Sequence, residues 1–466
     1  MTPLEIDTGT TAWLLASAAL VLLMTPGLAF FYGGMVRVKS VLNMMMMSFG
    51  ALGSISVIWA LWGYSMAFGD DIGGGLLGNP GQYLGLKGLM SATSEVTAGI
   101  SGDQAGTYPA MAFVAFQAVF AIITVALISG AIADRAKFGT WMIFTVIWAT
   151  VVYFPVAHWV FDFSAGEHVG GWIANNLKAI DFAGGTAVHI NAGSAGLALA
   201  LVLGKRIGFK RDPMRPHNLT LVMLGAGLLW FGWFGFNAGS ALGSGMAAAT
   251  VWVNTMVATG AACLAWLITE RIRDGHATSL GAASGIVAGL VAITPSCSSV
   301  SPIGAIILGA VAGVVCALAI GLKYKLGYDD SLDVVGVHLV GGLWGTLSVG
   351  LLATDAAPAG VNGLFYGGGL DQLWRQAVGA VAVLAFSFVL TFIIGTILQK
   401  TIGFRVSEDD ERQGVDEIEH AETAYDLGSF GGVLRSTLSG SAGAPRPDAP
   451  KDDSTPTHGK HEEVSA

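Results

Sequence analysis

Residues 110–133 read AMAFVAFQAVFAIITVALISGAIA, a run without one charged side chain. A helix needs about 20 apolar residues to cross roughly 30 Å of hydrocarbon, and this run is long enough. Ten more runs of the same character surround it, near 11–34, 41–68, 139–161, 182–204, 219–238, 247–269, 279–295, 302–322, 333–353 and 373–399. The chain therefore reads as an all-α, polytopic transmembrane helix bundle of eleven spans, because a bilayer leaves a backbone no other way to satisfy its polar groups than helices or closed barrels. Composition points the same way. Only 12% of the 466 residues are charged and 53% are hydrophobic, where a soluble domain carries roughly 25% charged residues. The 66 glycines suit helices that pack at close range.

The first apolar run follows Glu5 and Asp7 without a basic leader and is too long for a cleavable signal, so it reads as the first span. Loops after odd-numbered spans carry Arg37, Lys39, Arg135, Lys137, Lys205, Arg206, Lys210, Arg211, Arg215, Arg271, Arg273, Lys323, Lys325, Lys400 and Arg405. The other side holds Lys87, Lys178 and Arg375. That asymmetry predicts an N-terminus outside, a C-terminus inside and residence in the cell inner (cytoplasmic) membrane. No basic excess suggests nucleic acid, since the net charge is −9. Cys263, Cys297 and Cys316 show no metal-ligand spacing, no nucleophile–base pair stands out, and neither an enzyme activity nor a cofactor is expected.

Eleven spans divide into five, five and one, the arrangement of inverted-repeat transporters. Spans five and ten each place an aspartate at the entrance and a histidine within, Asp181 with His189 and Asp333 with His338. An ionisable side chain inside a membrane is costly and points to function, whereas the aspartates could equally cap helix N-termini. His158, near the end of span four, reads as structural. Span three carries Phe116, Gln117 and Phe120, and span six carries the aromatic run from Trp230 to Phe236 followed by Asn237, Ala238, Gly239 and Ser240. Such a run is either an interfacial belt or a cation–π cup with a hydroxyl acceptor for a small cation. Met44 to Met47 read as packing, and Gly73 to Gly78 as a loop.

The stretch Asp181-Phe182-Ala183-Gly184-Gly185-Thr186-Ala187-Val188-His189-Ile190-Asn191 resembles the signature of the ammonium transporter (Amt/Mep/Rh) family. So do Phe30 to Gly34, Trp233 to Ser240, and Asp333-Val334-Val335-Gly336-Val337-His338. The resemblance runs from residue 11 to about 430. It implies a homotrimer with one pore per subunit, ammonium or ammonia as cargo and methylammonium as analogue. It makes His189 and His338 paired pore imidazoles, Phe120 and Phe236 a stacked aromatic gate, and Trp233 a pore-lining ring. Ser240 would be the hydroxyl of an outer recruitment site and Asp181 a carboxylate supporting it. Many bacterial members of the family have tryptophan in the outer cup where this chain has Phe161. Phenylalanine keeps a π face but is the weaker cation partner and lacks the indole donor.

A bare ion in a low-dielectric pore costs tens of kcal/mol in the Born limit. Ammonium can shed its proton at the mouth and cross as a neutral amine, which potassium cannot do. A neutral-gas channel of the Rh type and an ammonium sensor are the alternative functions. Residues 1–402 read as the transmembrane domain. Residues 403–436 resemble the family's ordered cytoplasmic regulatory tail, which implies a PII-type partner. The tail's acidic first half is expected to lie against Lys205, Arg206, Lys210, Arg211 and Arg215. Residues 437–466, with four prolines and no aromatic side chain, are expected to be disordered.

Overall fold

The structure, a computed structural model, describes residues 6–90 and 108–425. The expected disorder of residues 437–466, and the end of the regulatory tail beyond 425, lie outside them. The described chain is almost entirely helical, with isolated β-bridges and no strand.

Among the described residues ten helices are long and apolar enough to cross a membrane: α1 (Thr8–Met35), α2 (Val38–Phe68), α3 (Ala110–Ile132), α4 (Phe138–Phe161), α5 (Gly185–Leu203), α6 (Leu219–Gly239), α7 (Met246–Asp274), α9 (Pro302–Leu326), α10 (Val335–Leu352) and α11 (Asp371–Thr401). Between α7 and α9 stands a shorter apolar helix, α8 (Ser279–Ile293). Its 15 residues rise about 22 Å, so the eighth of the eleven expected spans falls short of full bilayer thickness.

Helices α3 and α5 are the most deeply enclosed, each with 83% of its apolar window buried, whereas α11 has 33% and α2 and α7 have 39% each. The bundle thus has two central helices and an apolar outer layer. The exposed Leu15, Val57, Phe231, Ile268 and Ile397 side chains suit hydrocarbon rather than water.

Helices α5 and α10 cross at glycine. A Cβ on Gly193 would stand 2.5 Å from the Leu339 amide nitrogen, and one on Gly342 would stand 3.1 Å from both the Gly185 carbonyl and the His189 Cβ. At Gly193 a side chain would force the two histidine-bearing backbones apart, and at Gly342 it would crowd them.

Both helices open on a π-helical turn, Gly185–Ile190 and Val335–Leu339, with the histidine inside it. Each first turn is held by a carboxylate. Asp181 accepts from the amides of Gly184, Gly185, Thr186 and Ala187 at 2.6–3.0 Å. The equivalent on α10 is Asp330, which accepts from Val334 at 3.1 Å and Val335 at 2.7 Å. This corrects the pairing of Asp333 with His338. Asp333 sits at φ +64° and turns its carboxylate to Lys323 at 2.7 Å, leaving the helix amides to a residue one turn earlier.

At the end of the bundle that carries the tail, Arg206 binds Asp329 through its guanidinium and reaches Asp134 at 3.0 Å. The described tail folds under this end as α12 (Glu408–Gln413) and α13 (Val415–His420), with Ser407 and Asp410 forming a capping box. Its carboxylates seek helix N-termini. Asp416 accepts from Leu42 and Asn43 at 3.0 and 2.7 Å, and Glu419 from Phe138 at 2.9 Å. Glu411 pairs with Arg405 at 3.0 Å and Arg37 at 3.5 Å and accepts from the Ile207 amide. The partners therefore differ from the expected basic cluster. Arg206 is engaged by Asp134 and Asp329, and no ion pair joins Lys205, Lys210, Arg211 or Arg215 to the described tail.

Candidate functional site

His189 and His338 are 1% and 3% exposed, and their Nδ1 atoms lie 3.3 Å apart. The rings are inclined by 29° with centroids 5.4 Å apart. A neutral imidazole carries one N–H, so this contact is a hydrogen bond when one of the two Nδ1 atoms bears the proton. The Nε2 of His189 is buried and has no partner among the described residues. It is a hydrogen-bonding atom kept free in an otherwise apolar wall.

Aromatic rings continue the column from His189. Trp233 stacks on it at 5.5 Å and 24°, with Phe236 at 6.1 Å and 22°. Phe236 stacks in turn on Phe120 at 4.2 Å and 28°. Phe161 meets Phe120 edge-on at 6.3 Å. At the same end, the half-buried Ser240 donates its hydroxyl to the Phe236 carbonyl at 2.8 Å. That leaves its lone pairs as acceptors beside the rings.

A narrow cavity separates the stacked phenylalanines from His338, walled by Leu28, Ile123, Leu229 and Val287 beside the two histidines and Trp233. A second cavity adjoins it at His338 and reaches Tyr32, Ser284 and Asp333. Phe31, Val287 and His338 line both. In order, the structure sets the Phe161–Phe120 edge contact, the Phe120–Phe236 stack, an apolar cavity with two imidazoles, and a second cavity with polar groups.

The fold thus gathers His189, His338, Phe120, Phe236, Trp233, Phe161 and Ser240 along one line. Asp181 stands apart, 8% exposed, with both oxygens occupied by the first amides of α5. Its contact with the path runs through the helix it caps. His158 is wholly buried, facing the Ala67 carbonyl at 3.2 Å and Asp71 at 3.3 Å, and ties two elements together. Among the described residues no group of three His, Cys, Asp or Glu side chains could hold a metal ion.

Two supporting residues were not singled out in the sequence. Asp330 repeats the eight-residue offset of Asp181 and His189, a signal hidden by three aspartates close together. Thr294 accepts from the Trp233 indole at 2.9 Å and donates to the Leu290 carbonyl at 2.7 Å, fixing the ring that stacks on His189. A contact between residues so far apart in sequence leaves no local pattern.

The sequence model of the Ammonium Transporter Family matches residues 12–425. The chain belongs to the ammonium transporter family. The ammonium transporter of Mycobacterium tuberculosis is 64% identical over 442 residues, covering 92% of each chain. That of Aquifex aeolicus is 48% identical over 425 residues, covering 91% of this chain and 95% of its own. Among solved structures, Saccharomyces cerevisiae Mep2 superposes with a TM-score of 0.76 at 32% identity, covering 87% of this chain and 91% of its own. A structure titled Sensor Amt Protein superposes with a TM-score of 0.78 at 29% identity, covering 88% and 98%. Membership makes this chain a multi-pass membrane protein of ammonium transport and not an enzyme.

Proposed function

We propose that the chain recruits NH4+ at the end bearing Phe161 and Ser240, that NH4+ gives up its proton there to water at the mouth, and that NH3 passes between His189 and His338 toward the side of Asp333, with or without onward transfer of the proton. The observation that carries this reading is the 3.3 Å imidazole pair inside an apolar cavity closed by the Phe120–Phe236 stack. A cation gains from the ring faces at the mouth, but nothing beyond the stack replaces its hydration, so the charged form stops there. A neutral amine needs only a donor and an acceptor, and two imidazoles supply both. Phe161 and Ser240 belong to the recruitment cup, Phe120 and Phe236 are the stacked gate beneath it, and Trp233 lines the pore against His189. Asp181 supports recruitment through the helix it caps, by fixing where His189 stands.

The working unit is a homotrimer in the cytoplasmic membrane with the tail inside, and the tail offers part of the surface that a PII-type regulator would cover. Proteoliposomes on a solid-supported membrane test the reading. An ammonium pulse should give a saturable response and a potassium pulse none, with current distinguishing charge movement from gas conduction. An equal potassium response would contradict the cup-and-deprotonation mechanism, and absence of any ammonium flux would favour a sensor.

A further inference from the structure

Two loops meet beside the mouth. One, after α2, carries Asp70 and Asp71; the other, after α4, begins at Asp162, next to Phe161, and carries His168. His168 bridges them. Its Nδ1 lies 2.7 Å from Asp70 Oδ1 and its Nε2 lies 2.9 Å from Asp162 Oδ1.

Both ring nitrogens therefore face carboxylate oxygens. A neutral imidazole has one N–H and one lone pair, so it could satisfy one carboxylate only by pointing its lone pair at the other. The imidazolium satisfies both. The surroundings reinforce this. Asp162 is 1% exposed and also faces the buried His158 at 3.1 Å, and Asp71 reaches His158 from the other loop at 3.3 Å. Gln82 donates to Asp70 at 3.2 Å and to the Tyr83 hydroxyl at 3.2 Å. Glu167 precedes His168 on its own loop. No lysine or arginine among the described residues forms an ion pair with Asp70, Asp71 or Asp162.

We infer that protonated His168 is a positioning residue for the ammonium recruitment cup, clamping the two mouth loops through Asp162 so that the adjoining Phe161 is held against Phe120. The inference rests on the recruitment reading of Phe161. Backbone bonds from Asp71 to Val169 and from Trp172 to Gly75, each 3.0 Å, join the same loops. The clamp is the charged part of a small interface. Without it, a buried Asp162 keeps less compensation and lies near two more carboxylates, which favours separation of the loops.

The hydrogen bond to Asp162 acts first to lift the imidazole, against an opposing burial, and Asp70 adds to it, so that His168 titrates at about 9. A folded-state value raised above the ordinary one of about 6.5 means the imidazolium's contribution is fully present just below that ordinary value and most of it remains at pH 7. Its contribution is lost as pH rises through about 9.

The test is methylammonium uptake in proteoliposomes at pH 7 and about pH 9.5, with KM expressed per methylammonium cation, for wild type, His168→Gln, His168→Arg and Phe161→Ala. Wild-type KM should rise severalfold at the higher pH. His168→Gln should already show the raised KM at pH 7 and change little further. His168→Arg, permanently charged and able to fork between two carboxylates, should stay low at both. Hydrogen exchange across residues 69–77 and 162–172 reads the clamp independently of Phe161 and should rise wherever KM rises. If Phe161→Ala leaves KM unchanged, the recruitment reading fails. If Phe161→Ala raises KM but His168→Gln matches wild type in both KM and exchange, or if all four proteins shift with pH in parallel, the clamp is overturned.

Discussion

The Nδ1 atom of His338 lies 3.3 Å from the Nδ1 atom of His189, although 149 residues separate them in sequence. Two features make that contact. Glycines at the α5–α10 crossing let the backbones approach, and a carboxylate eight residues before each histidine fixes where each helix begins.

The second feature predicts that Asp330, rather than Asp333, holds the His338 helix start in place. Asp330→Ala leaves buried amides of Val334 and Val335 without their acceptor, at a cost of about 1–3 kcal/mol each. It should lower thermal stability in detergent and reduce methylammonium uptake strongly. Asp333→Asn keeps the helix start and should retain more stability and uptake than Asp330→Ala. Thermal melts and initial uptake rates of the two variants check this; equal losses would show that the cap is not the relevant interaction.

At the mouth, Phe161 offers a weaker π face than tryptophan. Phe161→Trp should tighten apparent methylammonium affinity, by less than about fivefold for a gain under about 1 kcal/mol at a partly wet site. Ser240→Ala removes the hydroxyl bound to the Phe236 carbonyl and should weaken it. Concentration-dependent uptake is the measurement, and unchanged curves for both variants would move recruitment elsewhere.

The tail prediction follows from its carboxylates. Asp416 caps the start of α2 and Glu411 sits between Arg37 and Arg405. Truncation at Ser407 should reduce transport or abolish its response to an ammonium shock, whereas truncation at Thr437 should do neither. Asp416→Lys should resemble the first truncation, because it sets a cation against a helix N-terminus. Uptake in cells before and after the shock distinguishes them; identical behaviour of the three variants and the full-length protein would remove the tail from regulation.

The spans were legible because charge-free runs of bilayer length have few other readings, and α8 departs because Pro295, just past its end, stops a short helix. The histidines were legible as ionisable side chains inside apolar spans, and the roles of the rings through their resemblance to a family. Local choices between like groups were not. Asp329, Asp330 and Asp333 are equally plausible caps in sequence, and only the positive φ of Asp333 and the course of the loop decide among them. Likewise the tail's cationic partners could not be chosen while Arg206 had no visible claim on it, and its ties to Asp134 and Asp329 appear only in three dimensions. The His168 bridge leaves no local pattern for the same reason: its two carboxylates come from separate loops.

The central claim is that the histidine pair makes the path selective for a species that can lose its proton. The most direct measurement compares ammonium and potassium responses of proteoliposomes carrying wild type, His189→Ala, His338→Ala and the double variant, each at equal protein density. The account predicts a response to ammonium alone in wild type. In each variant it predicts either loss of the ammonium response or appearance of a potassium response. A double variant that still moves ammonium at near wild-type rate and excludes potassium would contradict it.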